Sequence, residues 1–385
     1  MIKILHVIDK LSMDGVNPSS CSKLFVEWHA QHDRSRFKIM VASLRAKDAA
    51  GEYLEDHGLE VFYINKGKVS FANVSAIEGL INAHEIDVLH LHGYSSANFG
   101  RLAARRKNIP SVMHEHAILK VQPHQFVADW LLRNKTDVAV AVSTAVKDFL
   151  MTGRSVPQEK IQVIWNGINL EAYRRTHTQS AAQFRARFAT REQKLIGMVG
   201  RLRAEKGNRY FIQAAREILQ NAPEARFVLV GEGEERAQLE QLANELDLQN
   251  HLHFDGFVND VQAALNACDV VVIPSLREGF GLILAEAMAA ACPIVATRVG
   301  GMVEMAQHEH QLLFVPPANS SALAQATLRL LREQSLATRL AQAARTHSEN
   351  FSIEKNVAAL EALYAKLVSK QEARERSNLG LIEVV

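Results

Sequence analysis

Two glutamates flank a glycine-containing turn that joins an apolar segment to an apolar helix. The segment Val270–Ile273 is typical of a buried parallel strand, and Gly279 and Gly281 follow it. A strand, a glycine turn and a helix in this order bring backbone N–H groups to the carboxyl edge of a sheet, where α/β folds bind anionic ligands. Glu278 precedes the helix and Glu286 lies about two turns into it, so both carboxylates can face one pocket.

The same residues also have a purely structural interpretation. Glycine at a strand–helix junction is common turn chemistry, and Glu286 could cap or solvate a helix face. However, Glu286 lies within the almost wholly apolar run 282–291. A buried carboxylate without a partner costs several kcal/mol or more. We therefore expect a polar partner for Glu286, for which sugar hydroxyls would serve.

A basic loop with glycines at both ends begins the second half of the chain. Gly200 follows an apolar strand candidate, and a helix is predicted to begin near Gly207. Between them, Arg201 can contact phosphate through two N–H groups and Lys206 supplies a point charge. Taken alone, the loop is slightly better interpreted as a basic surface loop. The ligand interpretation is favoured because this loop and the turn described above belong to the same half of the chain.

Closely spaced histidines end two strand candidates in the first half. His90 and His92 end one, and His114 and His116 end the next. The His-x-His spacing also suggests a metal, but no third ligand is evident from the sequence, and zinc sites need three or four protein ligands. We therefore expect no metal. His90 and His92 either line a ligand site or are satisfied core groups.

Composition and charge indicate a globular protein that does not bind nucleic acid. The chain has 385 residues, 48% hydrophobic and 22% charged, with a net charge of +2. Its three cysteines are scattered, which suits a reducing cytoplasm. No signal peptide precedes the first strand, and no apolar run approaches the ~20 residues that span a bilayer. We expect a cytoplasmic protein, with peripheral contact at the inner face of the membrane left open.

One basic cluster on a predicted first-half helix bears on that contact. The cluster could touch anionic lipid, although such a run is more often a solvated helix face. Its members are Arg101, Arg105, Arg106 and Lys107.

Apolar runs alternate with amphipathic stretches along the whole chain, which predicts parallel sheets covered on both faces. A polar helical segment, 169–193, separates two such series, so two doubly wound domains fit better than one large sheet. We predict an N-terminal domain at 1–168, a C-terminal domain at 169–353, and a last helix with a tail at 354–385. The predicted strands are 4–8, 38–42, 61–64, 88–92, 111–114, 138–142 and 162–165, then 195–199, 226–230, 253–254, 270–273, 294–296 and 313–315.

Several motifs together resemble those of glycosyltransferase family 4. Residues 277–287, Arg-Glu-Gly-Phe-Gly-x4-Glu-Ala, look like the E-x7-E element of that family, with Glu278 and Glu286 as the two acids. The matches follow the family order from residue 2 to about residue 355 and are specific as a set. The others are the donor-phosphate loop at 200–207, the interdomain segment Val-Ile-Trp-Asn-Gly-Ile-Asn at 163–169, and the glycine turns at 230–233 and 297–301.

The resemblance implies a GT-B fold: two Rossmann-like domains facing across a cleft, with the last helix crossing back to the first domain. It implies transfer of a sugar with retention of configuration, without a metal or another cofactor. The donor would be a nucleotide-sugar, UDP-sugars being favoured over GDP-sugars. The acceptor would be a saccharide, a lipid-linked saccharide or a small molecule, in glycan or polysaccharide biosynthesis. The alternatives are a sugar-nucleotide epimerase of the same fold and a non-catalytic sugar-nucleotide-binding protein.

The same resemblance assigns roles in donor binding. Arg201 and Lys206 would neutralise the diphosphate, beside Gly200. Glu278 would contact hydroxyls of the donor sugar, and Glu286 would accept hydrogen bonds from the ribose. The backbone of three residues would lie against the sugar and phosphates: Phe280, Gly281 and Leu282.

On the acceptor side, the resemblance places a histidine near the reacting sugar. His116 is the best match, with His114 close behind, and His92 ends the neighbouring strand candidate. The alternative for the His114–His116 pair is an ordinary surface histidine. The catalytic set implied is therefore His116 together with Glu278, Lys206 and Arg201.

The loop after the first strand departs from the family pattern. The family usually has two adjacent glycines there, approaching the donor phosphates. This chain has one glycine, Gly15, and Pro18 stiffens the loop. We retain Gly15 as a donor-binding candidate and expect altered donor or acceptor geometry at this position.

Overall fold

A computed structural model describes residues 1–12, 14–67, 70–174 and 178–382. Met13 of the Gly15 loop, residues 175–177 of the predicted polar segment and the last residues of the predicted tail lie outside the described ranges. The chain forms two compact units. One contains Met1–Gly167 and Ile353–Val385, and the other contains Ile168–Ser352.

The first unit is built on a parallel sheet with strand order β3-β2-β1-β4-β5-β6-β7 in the described part of the chain. The central strands are buried along most of their length, so both faces of the sheet are covered, as continuous apolar runs predict. The strands are β1 (Ile2–Ile8), β2 (Phe37–Ser43), β3 (Glu60–Tyr63), β4 (Val88–His92), β5 (Ser111–Glu115), β6 (Val138–Ala141) and β7 (Ile161–Val163).

Helices alternate with these strands along the chain, as in a doubly wound fold, and a long helix is the last element described. These helices are α1 (Ser20–Gln31), α2 (Ala49–Asp56), α3 (Ala72–His84), α4 (Tyr94–Lys107), α5 (Pro123–Leu132), α6 (Thr144–Gly153) and the last one, α16 (Ile353–Ile382).

The last helix, α16, packs against the first unit. Asn356 accepts a hydrogen bond from the Trp28 indole at 2.6 Å, and Glu361 contacts Nδ1 of His32 at 2.9 Å. The helix continues to Ile382 and so takes up most of the segment 354–385 that was predicted as a helix with a tail. Within the described ranges, every helix is too short or too polar to serve as a transmembrane span.

The second unit repeats the plan with strand order β10-β9-β8-β11-β12-β13, again in the described residues. Its strands are β8 (Lys194–Val199), β9 (Ala225–Val230), β10 (Leu252–Gly256), β11 (Val270–Ile273), β12 (Ile294–Thr297) and β13 (Leu313–Val315). Its helices are α7 (Leu170–Arg174), α8 (Thr178–Ala186), α9 (Asn208–Asn221), α10 (Arg236–Glu245), α11 (Val261–Ala267), α12 (Leu282–Ala289), α13 (Met302–Met305), α14 (Ser320–Arg332) and α15 (Gln334–His347).

The predicted fold class is confirmed. Each predicted strand is present, with ends within two residues of the prediction. In both units the strand order reverses beside the first strand, because β1 lies between β2 and β4 and β8 lies between β9 and β11. Ligands of open α/β sheets bind at the carboxyl edge beside such a reversal.

Candidate active site

Lys206 and Glu278 form an ion pair where β8 and β11, adjacent in the second sheet, reach their carboxyl ends. Nζ of Lys206 lies 2.6 Å from Oε1 of Glu278, and the side chains are 19% and 9% exposed. Ser275 donates a hydrogen bond to the same carboxylate oxygen at 2.8 Å. The structure thus joins two residues that sequence analysis treated as parts of separate loops, and both side chains are held in place.

Two helices begin at this edge, each at a glycine that the backbone requires. Gly207 precedes α9 with φ +70°, and a Cβ there would lie 2.0 Å from the carbonyl oxygen of Pro274. Gly281 precedes α12 with φ +105°, and its Cβ would lie 2.8 Å from Cγ of Met302. The first turns of both helices offer backbone N–H groups and partial positive charge. Together with Lys206, they make this edge suited to an anion.

Gly200 differs from the other glycines of this edge. Its φ is not in the left-handed region, and an added Cβ would have no atom within 4 Å. Gly231, on the adjoining loop, has φ +137° and its Cβ would lie 1.9 Å from the carbonyl oxygen of Gly200. The fold therefore requires glycine at 231 but not at 200. The open space beside Gly200 is room for a ligand to approach the backbone.

Replacing Gly200 and Gly231 in turn separates these two reasons for glycine. We expect Gly200→Val to keep the unfolding temperature of the wild type but to raise the donor KM by about tenfold or more, about 1.4 kcal/mol, because the side chain fills the open space. Gly231→Ala should instead lower the unfolding temperature, since its Cβ meets backbone. Donor titration and thermal melts of both variants test this. Normal donor affinity in Gly200→Val would contradict it.

Arg201 lies apart from the ion pair. Its side chain is half exposed, and Nη2 is 3.8 Å from Oε1 of Glu205, an exposed contact of little energetic weight. The structure does not bring the Arg201 guanidinium into the hydrogen bonds that fix Glu278. Its proposed phosphate contact therefore stays a prediction.

The expectation that Glu286 is buried is wrong. Glu286 is half-buried, as are Leu282 and Ile283 on the same side of α12, because the helix buries only its opposite face. Phe280 has the opposite environment. It is 2% exposed and its ring packs against Phe351, with ring centroids 5.8 Å apart. Phe280 is a core side chain whose backbone alone remains available to a ligand.

Five histidine rings lie together in the first unit. Side chains alternate between the two faces of a strand, so residues two apart share a face. His6 on β1 pairs in register with His90 on β4, and His92 pairs with His114 on β5. These four and His116 therefore line one face of the sheet, with adjacent ring centroids 4.1–5.5 Å apart.

Hydrogen bonds divide the five rings into two chains. In the first, Nε2 of His116 lies 3.0 Å from Nδ1 of His92, whose Nε2 lies 3.0 Å from Nδ1 of His6. In the second, Nδ1 of His114 lies 2.9 Å from Nε2 of His90, whose Nδ1 lies 2.6 Å from the Tyr364 hydroxyl. A neutral imidazole has one donor and one acceptor, so each chain has a single direction of donation.

Burial keeps these rings uncharged. Desolvation lowers the pKa of His6, His90, His92 and His114 well below the usual value, and the neighbouring histidines lower it further. It lowers the pKa of His116 to about 4. The cluster therefore consists of neutral imidazoles at neutral pH.

The fold supplies the third metal ligand that the sequence does not show. His6, His90 and His92, and likewise His92, His114 and His116, place one ligand nitrogen each within 4.8 Å of the others. The third histidine comes from a distant part of the chain, so spacing in sequence gave no sign of it. The ring nitrogens that approach most closely share hydrogen bonds, whereas Nε2 of His6 and Nε2 of His114 are buried without a hydrogen-bond partner.

The three acceptor-side candidates differ in access. His92 and His114 are 1% and 2% exposed, whereas His116 is half-buried. The alternative that His90 and His92 are satisfied core groups fits their burial and their hydrogen bonds. Among these three rings, His116 is the one that a ligand can contact, and His92 is hydrogen-bonded to it. Sequence analysis missed His6, although its position in an apolar strand candidate was visible.

Gly15 lies in an ordered, exposed turn. It has φ +84°, an added Cβ would have no atom within 4 Å, and its N–H donates to the Ser12 hydroxyl at 2.8 Å. The Asp14 carboxylate accepts from the N–H of Asn17 at 2.8 Å and so closes the turn. A single glycine is thus enough for this backbone, and side-chain hydrogen bonds hold it.

The basic cluster on α4 is not a uniform surface. Arg101 is fully buried and donates to Asp129 on α5 at 2.7 Å, so it cannot touch lipid. Arg154 binds Asp129 as well, at 2.5 Å, and binds Glu115 at 2.6 Å. The network leaves no signal in the sequence, because its members lie far apart in the chain, on α4, β5 and α5 and just after α6. Arg105 and Arg106 are exposed.

Comparison with known proteins identifies the class of enzyme. Two family models match: "Glycosyl transferases group 1" over residues 180–347 and "Glycosyltransferase Family 4" over residues 26–172. HepE of Anabaena, solved in complex with UDP, has a TM-score of 0.83 at 24% identity, covering 94% of this chain and 100% of that one. The fold is that of the GT-B glycosyltransferases.

Relatives of known sequence extend over both units. An uncharacterized glycosyltransferase of Methanocaldococcus jannaschii is 30% identical over 66% of this chain and 68% of its own length. The UDP-Gal:α-D-GlcNAc-diphosphoundecaprenol α-1,3-galactosyltransferase of Escherichia coli is 25% identical over 95% and 97%. The chain belongs to the family 4 glycosyltransferases, as its motifs predicted.

Proposed function

We propose that this glycosyltransferase moves a sugar from a UDP-sugar, with retention of configuration, to a saccharide or lipid-linked acceptor. The observation that carries the proposal is the Lys206–Glu278 ion pair, set between the first turns of α9 and α12. A cation and two helix N-termini suit a diphosphate. A carboxylate beside them suits the hydroxyls of the attached sugar.

The proposed reaction breaks the bond between the anomeric carbon and the diphosphate oxygen and forms a bond to an acceptor oxygen. Negative charge then grows on the leaving diphosphate. Lys206 and the N–H groups at Gly281 and Leu282 stabilise that charge from fixed positions, and Arg201 reaches it from its exposed loop. For retention, the acceptor attacks the face that the diphosphate leaves, and a diphosphate oxygen takes the acceptor proton. Glu286 holds the ribose from the half-exposed side of α12.

The choice of UDP follows the relatives. The name of the E. coli relative specifies a UDP-galactose donor, and HepE was solved with UDP. A ligand that binds only the folded protein raises its apparent stability. In a thermal-shift screen against UDP-, GDP- and ADP-sugars, UDP-sugars should give the largest rise. A larger rise with a GDP-sugar would replace the donor in this proposal.

His116 is proposed to contact the reacting sugar as a neutral hydrogen-bonding group. Burial lowers its pKa to about 4, so it carries no charge at neutral pH. Its Nε2 is engaged by His92, which leaves Nδ1 for the ligand. His92 is then a positioning residue that fixes which nitrogen of His116 carries the proton.

Replacing His92 tests this positioning. We expect His92→Phe to lower kcat by about tenfold with little change in donor KM, since it deprives His116 of one hydrogen bond of about 1–1.5 kcal/mol. Nitrogen-15 NMR should show His116 as a mixture of tautomers in the variant and one tautomer in the wild type. His84→Phe, outside the cluster, is the control. An unchanged His116 tautomer with reduced kcat would make His92 merely structural.

The proposed acceptor class includes lipid-linked saccharides, because the E. coli relative is named for one. We propose that the chain attaches peripherally to a membrane at its inner face. On α4, Arg101 is buried and Arg106 pairs with Glu78 at 3.3 Å, so only part of the basic cluster is available for this purpose.

A further inference from the structure

Helix α5 is inverted relative to an ordinary surface helix. Asp129 is its fully buried residue, while four of its five large apolar side chains are between 41% and 62% exposed. A surface helix normally turns its apolar stripe to the core and its charges to water. The exposed apolar side chains are Phe126, Val127, Trp130 and Leu131, with Leu119 just before the helix.

The orientation of α5 is fixed from inside. Asp129 accepts hydrogen bonds from Arg101 on α4 at 2.7 Å and from Arg154 at 2.5 Å. Removing one partner of such a buried ion pair leaves an uncompensated charge, which is strongly destabilising. A rotation of α5 that would bury its apolar side chains would therefore break this network. The apolar face points outward because the buried carboxylate is held inward.

The segment that carries this face, residues 116–136, presents positive charge, and the next residue, Asp137, is an exposed carboxylate that accepts a hydrogen bond from the N–H of Ser111. From His116 to Thr136 the basic residues are Lys120, Arg133 and Lys135, and Asp129 is the sole acidic residue. The Arg133 guanidinium lies 4.2 Å from the centre of the Trp130 ring. A tryptophan beside arginine at the border of an apolar surface is the arrangement that membrane interfaces favour.

We propose that this α5 face, made of Leu119, Phe126, Val127, Trp130 and Leu131, docks into the surface of an anionic phospholipid bilayer. The apolar side chains would enter the boundary between headgroups and acyl chains, and the three basic residues would contact anionic headgroups. The face also follows His116 directly in the chain, so docking would hold the acceptor side of the first unit at the bilayer. The inference rests on the proposed membrane attachment and names the surface responsible.

Vesicle flotation tests the proposal on the full chain. Wild-type protein should float with vesicles of equal parts phosphatidylcholine and phosphatidylglycerol, and less with phosphatidylcholine alone or at high salt. Trp130→Glu with Leu131→Glu should lose at least nine-tenths of the bound fraction. Arg133→Glu with Lys135→Glu should lose binding to the anionic vesicles only.

The matched control is Phe71→Glu, a 74% exposed apolar residue elsewhere in the first unit. It should bind vesicles as the wild type does. Three results would each overturn the proposal. They are an equal loss of vesicle binding in the Phe71→Glu control, full vesicle binding by the Trp130/Leu131 variant, and failure of the wild type to bind vesicles. So would conversion of a lipid-free dimer to a monomer by that variant, which would make the face a contact between copies. Transfer to a water-soluble acceptor, measured in parallel, should be unchanged in every variant, and its loss in the wild type would count against the proposed function instead.

Discussion

Lys206→Ala is expected to lower turnover by about a hundredfold or more, the scale of losing one fixed group that stabilises transition-state charge. Lys206 is mostly buried and held 2.6 Å from Glu278, so its ammonium is oriented before any ligand arrives. The variant should still fold, with a lowered unfolding temperature, because the mostly buried Glu278 carboxylate loses its lysine but keeps the hydrogen bond from Ser275. The measurement is kcat with a UDP-sugar donor, together with a thermal melt.

Lys194→Ala is the matched control for this prediction. Lys194 is the first residue of β8, whereas Lys206 lies beyond the carboxyl end of that strand. Lys194 contacts Asp269, at 3.9 Å, and both side chains are partly exposed. Its removal should leave kcat within error of the wild type. Normal turnover in Lys206→Ala would refute the phosphate role of that lysine. A collapse of turnover in both variants would point to loss of fold rather than of chemistry.

The first unit should lose several kcal/mol of unfolding free energy as the pH falls from about 7 to about 5. The folded-state pKa values of His6, His90, His92 and His114 lie well below the unfolded value of about 6.5, and that of His116 is about 4. Below pH ~6.5 the unfolded chain binds more protons than the folded one. The stability is thus complete above that pH and is lost as the pH falls, by about 1.4 kcal/mol per pH unit for each histidine.

Two neighbouring groups modify this slope. Burial lowers the pKa of His32 even against Glu361, so His32 acts in the same direction. Burial raises the pKa of Glu115 against the attraction of Arg154, so Glu115 acts in the opposite direction. Because five histidines lower the stability as the pH falls and only Glu115 opposes them, the first unit is expected to be less stable at acidic pH.

Urea unfolding followed by tryptophan fluorescence measures the unfolding free energy of the first unit, because this unit contains all three tryptophans. These are Trp28, Trp130 and Trp165. His114→Phe should reduce the pH slope by about 1.4 kcal/mol per pH unit, the share of one histidine. An unfolding free energy that stays constant between about pH 7 and pH 5 would show that the rings are not buried as neutral imidazoles.

The strands and the glycine turns could be predicted from sequence because their signals are local. Buried parallel strands are continuous apolar runs, and Gly281 between β11 and α12 marks the start of a helix at a sheet edge. Long-range contacts left no such signal. His6 and His90 meet through the register of β1 and β4, and the Asp129 network joins distant segments.

Two errors have one physical cause: burial depends on which side of a helix faces the core. Glu286 lies within an apolar run, yet it falls on the half-exposed side of α12. Arg101 lies within a basic run, yet it turns inward to Asp129. In α5 the same effect places apolar residues outside. The composition of a segment indicates a helix but does not determine its orientation when a buried charge is present.

A crystal structure of this chain with UDP bound tests the central claim most directly. The account predicts the diphosphate at the carboxyl edge of β8 and β11, within hydrogen-bond distance of Lys206 and of the N–H groups that begin α12, with the ribose hydroxyls on Glu286. A diphosphate bound elsewhere on the second unit, with Lys206 and Glu278 still paired and untouched by the ligand, would contradict it.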